Sequence, residues 1–197
     1  IMYNNNGDIM KMLITAFEPF NGYEKNVSEE VLKRISKKYD KTILPVSYTR
    51  VKTVLSNVIN SNNYDFVICL GQASSIKTIN VEKFAINYTR SLIEDNDHEI
   101  RKNGKVLEED NTINTTSLNI ERMVEKLDTK IPINLSVSAG SYICNSAYYV
   151  SLHLMKGRAL FIHLPLYKGQ AKKDNEYEID SIVDTVNNII RYIERNN

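Results

Sequence analysis

The alternation of apolar, strand-like runs with amphipathic, helix-like segments is the feature that most constrains the fold of this chain. Several strand-like runs are continuously apolar, for example DFVICLG (65–71) and RALFIHLPL (158–166). Such runs are typical of strands covered on both faces, because a strand with one solvated face alternates apolar and polar residues. Strands that alternate with helices predict an α/β fold, with three layers and a mixed, largely parallel sheet in the middle.

The predicted elements extend along nearly the whole chain. In the first helix, Ser28 is a candidate N-cap and two acidic residues follow in the first turn. The polar stretch 90–114 has little periodicity, so we expect it to form an excursion over one edge of the sheet. The predicted strands are 11–17, 41–46, 65–71, 78–88, 133–139 and 158–166, and the predicted helices are 28–39, 50–61, 115–127, 145–155 and 178–196.

Composition and charge exclude several classes of partner. The 197 residues are 42% hydrophobic and 25% charged, with a net charge of +1, which is ordinary for a globular protein with one sizeable core. A nearly neutral chain has no electrostatic footprint for nucleic acid or an anionic membrane. Apolar runs are far shorter than the roughly 20 residues that a bilayer span needs. Metal-ligand spacings, phosphate loops and dinucleotide fingerprints are also missing from the sequence, so we expect neither metal nor cofactor.

The start of the chain and its two cysteines bear on the cellular compartment. Residues 1–10 are polar and rich in Asn, and we expect a disordered leader or an expression remnant there. They lack the apolar core and cleavage site of an export signal. Two cysteines without an export signal favour the reducing cytoplasm, where Cys69 and Cys144 are free thiols. The number of cysteines alone does not decide whether these two form a disulfide.

Three residues suited to nucleophilic catalysis lie at or near predicted strand ends, where ligand sites of open α/β sheets are found. Cys144 follows a strand and opens a helix, where free backbone N–H groups and the helix dipole stabilise a thiolate or an oxyanion. His163 lies at the end of a very apolar strand, and Glu82 interrupts another strand-like run. Together they have the composition of a thiol-hydrolase triad of nucleophile, general base and orienting carboxylate.

Each candidate also has a purely structural interpretation. Cys144 can be a small buried hydrophobe, His163 a satisfied core histidine and Glu82 a carboxylate on a solvated strand face. Phe17 and Phe20, in the FEPF stretch after the first strand, are either core residues or the apolar walls of a small pocket. From the residues alone, these alternatives stay open.

Five stretches of the chain carry a family resemblance: LITAFEPFNGYEKNVS (13–28), LGQA (70–73), INVEKFAIN (79–87), SAGSYICN (138–145) and FIHLPLYKGQ (161–170). Together they resemble pyroglutamyl peptidase type I (pyrrolidone carboxyl peptidase), a family of cytoplasmic cysteine peptidases. The resemblance implies a single peptidase domain over residues 11–197, folded as an α/β/α sandwich around a mixed, twisted sheet. It also implies hydrolysis of an N-terminal pyroglutamyl residue from peptides without metal or cofactor, and assembly as a homotetramer or a dimer.

The resemblance assigns roles to individual residues by motif. The family's nucleophile falls on Cys144, its histidine on His163 and its acid on Glu82. The family holds the lactam ring between aromatic side chains and recognises it by hydrogen bonds, so an apolar pocket with a few polar groups is expected. The substrate-binding positions that match are Phe17, Phe20, Gln72, Tyr142 and Ile143.

The chain departs from the family pattern at two arginines. The family's GQAGGR motif is GQASSIK here, with Ile76 in place of the arginine and Lys77 beside it. A second arginine, expected shortly after the acid motif, is Leu92, and Arg90 lies two residues earlier. Because the three catalytic positions are intact, the favoured hypothesis is a divergent but working peptidase. The alternatives are a weakly active or inactive protein that binds pyroglutamyl ligands, and a hydrolase of another lactam or acyl amide.

Overall fold

The computed structural model describes residues 10–108, 110–170 and 175–196, so the expected leader lies outside it except for Met10, which is buried. The strands are β1 (Met12–Phe17), β2 (Asp40–Leu44), β3 (Phe66–Gln72), β4 (Ile79–Glu82), β5 (Phe84–Ile86), β6 (Ile113–Thr115), β7 (Ile133–Ser136) and β8 (Ala159–Leu164). The helices are α1 (Val27–Arg34), α2 (Arg50–Asn60), α3 (Ile120–Lys126), α4 (Ile143–Leu154) and α5 (Ile179–Asn196).

Six of the strands form one mixed sheet in the order β2-β1-β3-β8-β4-β7. Every neighbouring pair in it is parallel except β8 and β4, which are antiparallel. β5 and β6 form a separate antiparallel pair. β8 lies between β3 and β4, and β4 starts at the edge where β3 and β8 end. The connection from β3 to β4, residues 73–78, therefore crosses the carboxyl end of β8.

Helices cover both faces of the sheet, and this is why the central strands are continuously apolar. In β3, Ile68 and Leu70 pack into the cluster that contains α1, α3 and α5. Val67 and Cys69 point the other way, into the cluster that contains α2 and α4. The predicted three-layer α/β fold with a largely parallel mixed sheet is confirmed.

The N-cap predicted at Ser28 is wrong. Asn26 caps α1, and its Oδ1 accepts a hydrogen bond from the Ser28 N–H at 3.0 Å. Ser28 is buried in the first turn, where its Oγ accepts a hydrogen bond from the Phe17 N–H at 3.1 Å. The serine therefore joins the start of α1 to the end of β1 instead of capping the helix.

The first predicted helix ends at Arg34 instead of residue 39, and the strand predicted over 133–139 ends at Ser136. Two further predictions differ from the structure because of strand pairing. The predicted strand 78–88 is divided at Lys83, because β4 stays in the main sheet while β5 leaves it to pair with β6. The predicted helix 115–127 begins only at Ile120, after its N-cap Asn119. Its first predicted residue belongs to β6 instead. Pairing between distant segments overrides the local pattern in both places.

The polar excursion packs beside the start of α4. The Arg90 N–H donates to the Ser141 carbonyl at 3.0 Å, and the Ser141 Oγ donates back to the Arg90 carbonyl at 3.0 Å. Nearby, the Tyr142 hydroxyl donates to the Glu94 carbonyl at 3.0 Å. These bonds place the first part of the excursion against the loop that leads into Cys144.

Candidate active site

Cys144, His163 and Glu82 lie together, as the triad hypothesis requires. The His163 Nδ1 donates to Glu82 Oε1 at 2.7 Å. Cys144 interacts with the same ring and is one of the causes that raise the pKa of His163. The Glu82 carboxylate is buried, with the residue 1% exposed, so the interpretation of a solvated strand face is wrong. Cys144 and His163 are half-buried and so can be reached from solvent.

Strand direction explains why the carboxylate is deeper than the histidine. Glu82 is the last residue of β4, but β4 runs antiparallel to β8, so Glu82 pairs with Phe161 and not with His163. Residues two apart on a strand share a face, so Glu82, Phe161 and His163 project to the same side. The Phe161 and His163 rings pack with their centroids 4.7 Å apart, which holds the imidazole against the carboxylate.

Cys144 is the second residue of α4, and the local sequence presents it at an open helix start. Gly140 in the preceding loop has a φ of +82°, which a residue with a side chain adopts only at a cost. The N-cap, Tyr142, makes no side-chain hydrogen bond to the helix. The first N–H groups of a helix have no partner within the helix, so these donors point towards the space beside the thiol.

Asn145 anchors this helix start, and sequence analysis did not identify it. Its side chain is fully buried, and its Oδ1 accepts from the Ile86 N–H at 2.9 Å. Its Nδ2 donates to the Ile86 carbonyl at 2.9 Å and to the Tyr88 carbonyl at 3.0 Å. Three hydrogen bonds, two to the last residue of β5 and one to Tyr88 beyond it, therefore fix the residue that follows the candidate nucleophile.

Gly71 was also missed, and it allows the thiol to approach the sheet. A Cβ at this position would lie 3.1 Å from Cys144 Sγ and 2.6 Å from Cζ of Phe161. The second distance is a clash, so any other residue would displace the ring or the thiol. A glycine inside an apolar strand is a signal of close approach that sequence analysis can use.

The electrostatics of the site favour a charged histidine. Burial of the His163 ring opposes its protonation, but hydrogen bonds and charge interactions with Cys144 and Glu82 outweigh it and raise the pKa of His163 to about 9. At neutral pH the ring therefore carries a proton. An imidazolium beside a thiol stabilises the thiolate by charge, as in reactive cysteines generally.

A small pocket with uncharged walls adjoins Cys144. It contains all five residues predicted to bind substrate, so the structure brings these positions together around the thiol. About 10 Å³ of free space remains between the side chains, which is room for about one water molecule. The Phe20 and Tyr142 rings contact across it, with centroids 6.1 Å apart. The lining residues are Phe17, Phe20, Asn26, Val46, Gln72, Tyr142, Ile143 and Cys144.

Gln72 presents an unused donor at this pocket. Its side-chain oxygen accepts from the Val27 N–H at 3.0 Å and from the Gln170 amide. Because the Val27 N–H can only donate, the orientation of the Gln72 amide is fixed with Oε1 on that side. Its Nε2 is buried and has no hydrogen-bond partner among the described residues. A buried, unpaired donor of this kind is costly unless a ligand accepts from it.

The remaining sequence candidates lie outside the triad. Cys69 is fully buried on β3, and both cysteines are free thiols. Leu92, at the position of the expected arginine, is 86% exposed, and Arg90 is exposed too. Within the described ranges, no group of three or more Cys, His, Asp or Glu side chains is arranged to hold a metal ion. Nor does any helix in that part of the chain have the length and apolar character needed to cross a bilayer.

Known sequences resemble this chain over nearly its whole length. A family model described as pyroglutamyl peptidase matches residues 10–195. A pyrrolidone-carboxylate peptidase of Thermosipho melanesiensis is 32% identical over 198 residues, covering 94% of this chain and 97% of the relative. A protein of the same name from Thermococcus onnurineus is 36% identical over 173 residues, covering 82% and 86%.

Solved structures agree with the sequence comparison. The crystal structure of pyrrolidone carboxyl peptidase from Fervidobacterium islandicum superposes with a TM-score of 0.89 at 33% identity, covering 94% of this chain and 99% of that one. Pyroglutamyl peptidase I from Bacillus amyloliquefaciens superposes with a TM-score of 0.86 at 26% identity, covering 94% and 97%. The resemblance inferred from five short stretches is thereby confirmed. The chain belongs to the pyroglutamyl peptidase family.

Proposed function

We propose that this protein is a cysteine peptidase that removes the N-terminal pyroglutamyl residue from peptides. Cys144 is the nucleophile, His163 the general acid and base, and Glu82 the carboxylate that orients the imidazole. The observation that carries the proposal is the grouping of these three residues, with His163 hydrogen-bonded to Glu82 and interacting with Cys144, beside a pocket lined by an unpaired amide donor. The names of the relatives, pyrrolidone-carboxylate peptidases, support the choice of substrate.

The reaction follows from the geometry of the three residues. The Cys144 thiolate attacks the pyroglutamyl carbonyl carbon, and the N–H groups at the start of α4 stabilise the oxyanion that forms. His163 transfers its proton to the leaving amine as the C–N bond breaks, which gives a thioester and a free peptide amine. The neutral imidazole then takes a proton from water, the hydroxide attacks the thioester carbon, and the C–S bond breaks. Pyroglutamic acid leaves, and the thiolate of Cys144 beside protonated His163 is regenerated.

The pocket explains selectivity for a ring without an α-ammonium. Apart from the nucleophile Cys144, none of its lining residues carries a charge, so the pocket holds no carboxylate partner for an ordinary N-terminal ammonium. The lactam carbonyl of pyroglutamate accepts the hydrogen bond that Gln72 Nε2 leaves unmade. Leaving such a group unpaired costs about 1–3 kcal/mol, which is enough to separate prolyl from pyroglutamyl substrates by roughly one to two orders of magnitude.

Ring binding requires the pocket to widen. The space of about 10 Å³ is far smaller than a five-membered ring, so the contacting rings of Phe20 and Tyr142 must separate when substrate enters. Phe20 is half-buried and lies in the loop after β1, where movement disturbs the sheet least. Pocket opening is therefore part of the proposed binding step.

Three finer properties belong to the same proposal. A cytoplasmic location is supported by the two free cysteines. Assembly as a homotetramer or a dimer is supported by large apolar side chains at the surface, among them Leu92 and Val137. Residues 11–197 are proposed to act as one peptidase domain, since the described part of this range builds the triad and the pocket around one sheet.

One observation favours the alternative of a weakly active binding protein. No arginine side chain lines the pocket, and Leu92 points to solvent where the family has an arginine. On this alternative, the pocket binds pyroglutamyl ligands without turning them over. A hydrolase of another lactam or acyl amide is the second alternative, and a panel of N-acyl amides distinguishes it.

The decisive assay measures release of a fluorescent amine from a pyroglutamyl amide under reducing conditions. Wild type and Cys144→Ala are compared, and a prolyl amide serves as the substrate control. We expect release from the pyroglutamyl amide alone, and only by the wild type. A folded wild type that binds pyroglutamate but releases no amine would favour the binding-protein alternative. Equal activity in Cys144→Ala would contradict the mechanism.

A further inference from the structure

A second cleft lies at the carboxyl edge of the sheet, outside the triad and the apolar pocket. It has a volume of about 290 Å³, much larger than the free space of the pocket. It is formed by the crossover from β3 to β4, by the residues that follow β8, and by the segment before α5. The lining residues are Ser74, Ser75, Ile76, Lys77, Pro165, Leu166, Asn175, Glu176 and Tyr177.

The strand register places this cleft close to the candidate catalytic residues. Gly71 pairs with His163, and the Ala73 N–H donates to the Leu164 carbonyl at 3.0 Å. Ser74 lies three residues beyond Gly71, and Pro165 lies two residues beyond His163. At a rise of about 3.3 Å per residue, the cleft begins roughly 7–10 Å from the His163 level.

The direction of the substrate points to the same cleft. The pyroglutamyl ring occupies the pocket at the ends of β1 and β3, where Phe17 and Gln72 lie. The leaving amine must reach His163, which is on β8, so the rest of the peptide continues away from the pocket and past β8. The crossover of residues 73–78 spans that strand end and forms one wall of the cleft.

The charges in the cleft suggest which part of the peptide it holds. Lys77 is exposed and makes no ion pair with any residue in the described ranges, and Glu176 is the acidic residue in the lining. Two extended residues span about 7 Å, so the C-terminal carboxylate of a leaving dipeptide reaches the near end of the cleft. An exposed ammonium that comes within about 4 Å of a carboxylate forms a weakly favourable pair.

We propose that this cleft binds the leaving peptide, and that Lys77 pairs with the free carboxylate of a pyroglutamyl tripeptide. The inference rests on the proposed function for the position of the ring. It makes short peptides with a free C-terminus the preferred substrate class. Glu176 acts in the opposite sense, because its charge repels the same carboxylate.

The test measures binding separately from turnover. In the Cys144→Ala background, dissociation constants of pyroglutamyl-Ala-Ala are compared by calorimetry with those of the same tripeptide carrying a C-terminal amide. We expect the free acid to bind about two- to fivefold more tightly, as for a partly exposed ion pair, with a smaller preference at high salt. Adding Lys77→Gln should remove the preference, and adding Glu176→Gln should increase it.

Lys37→Gln is the matched control. Lys37 is exposed and precedes β2, so it lies at the opposite, amino edge of the sheet, and its removal changes the net charge equally. The preference for the free acid should survive it. Equal binding of acid and amide, or a preference that persists in Lys77→Gln, would overturn the inference. Amine release from a pyroglutamyl aryl amide by the wild type tests the proposed function separately, since that substrate carries no carboxylate.

Discussion

Replacing Glu82 by glutamine removes the charge that holds the proton on His163 while keeping the size of the side chain. In the wild type, burial acts against the charged ring, and hydrogen bonds and charges from Cys144 and Glu82 raise the pKa of His163 to about 9. The bond from Nδ1 to Glu82 Oε1 is 2.7 Å long, which is the length of a charge-assisted hydrogen bond. Glu82→Gln replaces the charged acceptor of this bond with a neutral one.

The size of the effect follows from the strength of that bond. A hydrogen bond to a charged group contributes about 1.5–3 kcal/mol, and 1.36 kcal/mol corresponds to one pKa unit. The pKa of His163 should therefore fall by about 1 to 2 in Glu82→Gln. Because the mechanism needs a protonated His163 at the start, the alkaline limb of the pH–rate profile should move to lower pH by the same amount. At its optimum, kcat/KM should fall by about 10²–10⁴-fold, since the amide also orients the imidazole less strictly.

Stability should respond in the same direction. The raised pKa of His163 means that its pairing stabilises the folded state fully below its ordinary value of 6.5, and that this contribution is lost as the pH rises through about 9. The free energy of unfolding of Glu82→Gln should therefore depend less on pH between these values. Urea unfolding at several pH values measures this difference.

Two measurements test the argument, and one variant controls for the exchange of Glu for Gln. A pH–rate profile follows the alkaline limb, and NMR titration of the ring follows His163 itself. Glu125→Gln on α3 makes the same chemical change at an exposed position, and it should leave both unchanged. If the alkaline limb and the ring titration of Glu82→Gln coincide with those of the wild type, Glu82 does not set the protonation of His163.

Three further changes probe the pocket, the thiol and the fold. Gly71→Ala should lower kcat by at least tenfold with a small change in KM, because the added Cβ would clash with Phe161 and crowd Cys144. Steady-state kinetics measures both constants, and a kcat equal to that of the wild type would contradict the prediction. Gln72→Glu should lower kcat/KM for a pyroglutamyl amide about 10–100-fold, because the side chain loses the Nε2 donor but keeps the oxygen that accepts from the Val27 N–H. An unchanged ratio of pyroglutamyl to prolyl hydrolysis would contradict the assignment. Asn26→Ala should lower the free energy of unfolding by about 1–2 kcal/mol through loss of the α1 cap, and denaturant unfolding shows whether it does.

The sequence predicts the fold well because the three strands in the middle of the sheet, β1, β3 and β8, are apolar and buried on both faces. Continuously apolar strands such as β3 and β8 are stable only in the middle of a sheet that is covered on both faces. Their apolar runs therefore predict the bounds of these strands to within two residues. The two small strands β5 and β6 were not separated, since three-residue strands carry little local signal. Their pairing depends on a contact between residues nearly 30 positions apart in the chain.

Sequence motifs predict which residues form the candidate site, but they do not predict how these residues are arranged. Motifs identify Cys144, His163 and Glu82 as a set, yet no local pattern shows that β4 runs antiparallel to β8. That reversal brings Glu82 opposite Phe161 and buries it beneath the histidine. The roles of Gly71 and Asn145 depend on neighbours that only the tertiary fold supplies. Of these two residues only Gly71 has a signal in the sequence, because a glycine inside an apolar strand indicates that another group approaches closely.

The departures from the family pattern at Ile76 and Leu92 fit a working site, because none of the proposed chemistry depends on them. The proposed oxyanion donors are backbone N–H groups at the start of α4, and Asn145 and the pair of hydrogen bonds between Arg90 and Ser141 hold that start in place. The positive charge beside the thiol comes from His163, whose partner Glu82 is internal to the fold. An arginine on the exposed excursion would strengthen this field from outside, so its absence should lower the rate without removing the reaction. Leu92→Arg should therefore raise kcat/KM when it is added to the wild type, and it should restore no hydrolytic activity when it is added to Cys144→Ala. A variant no faster than the wild type would show that the charge of His163 and the backbone donors already suffice.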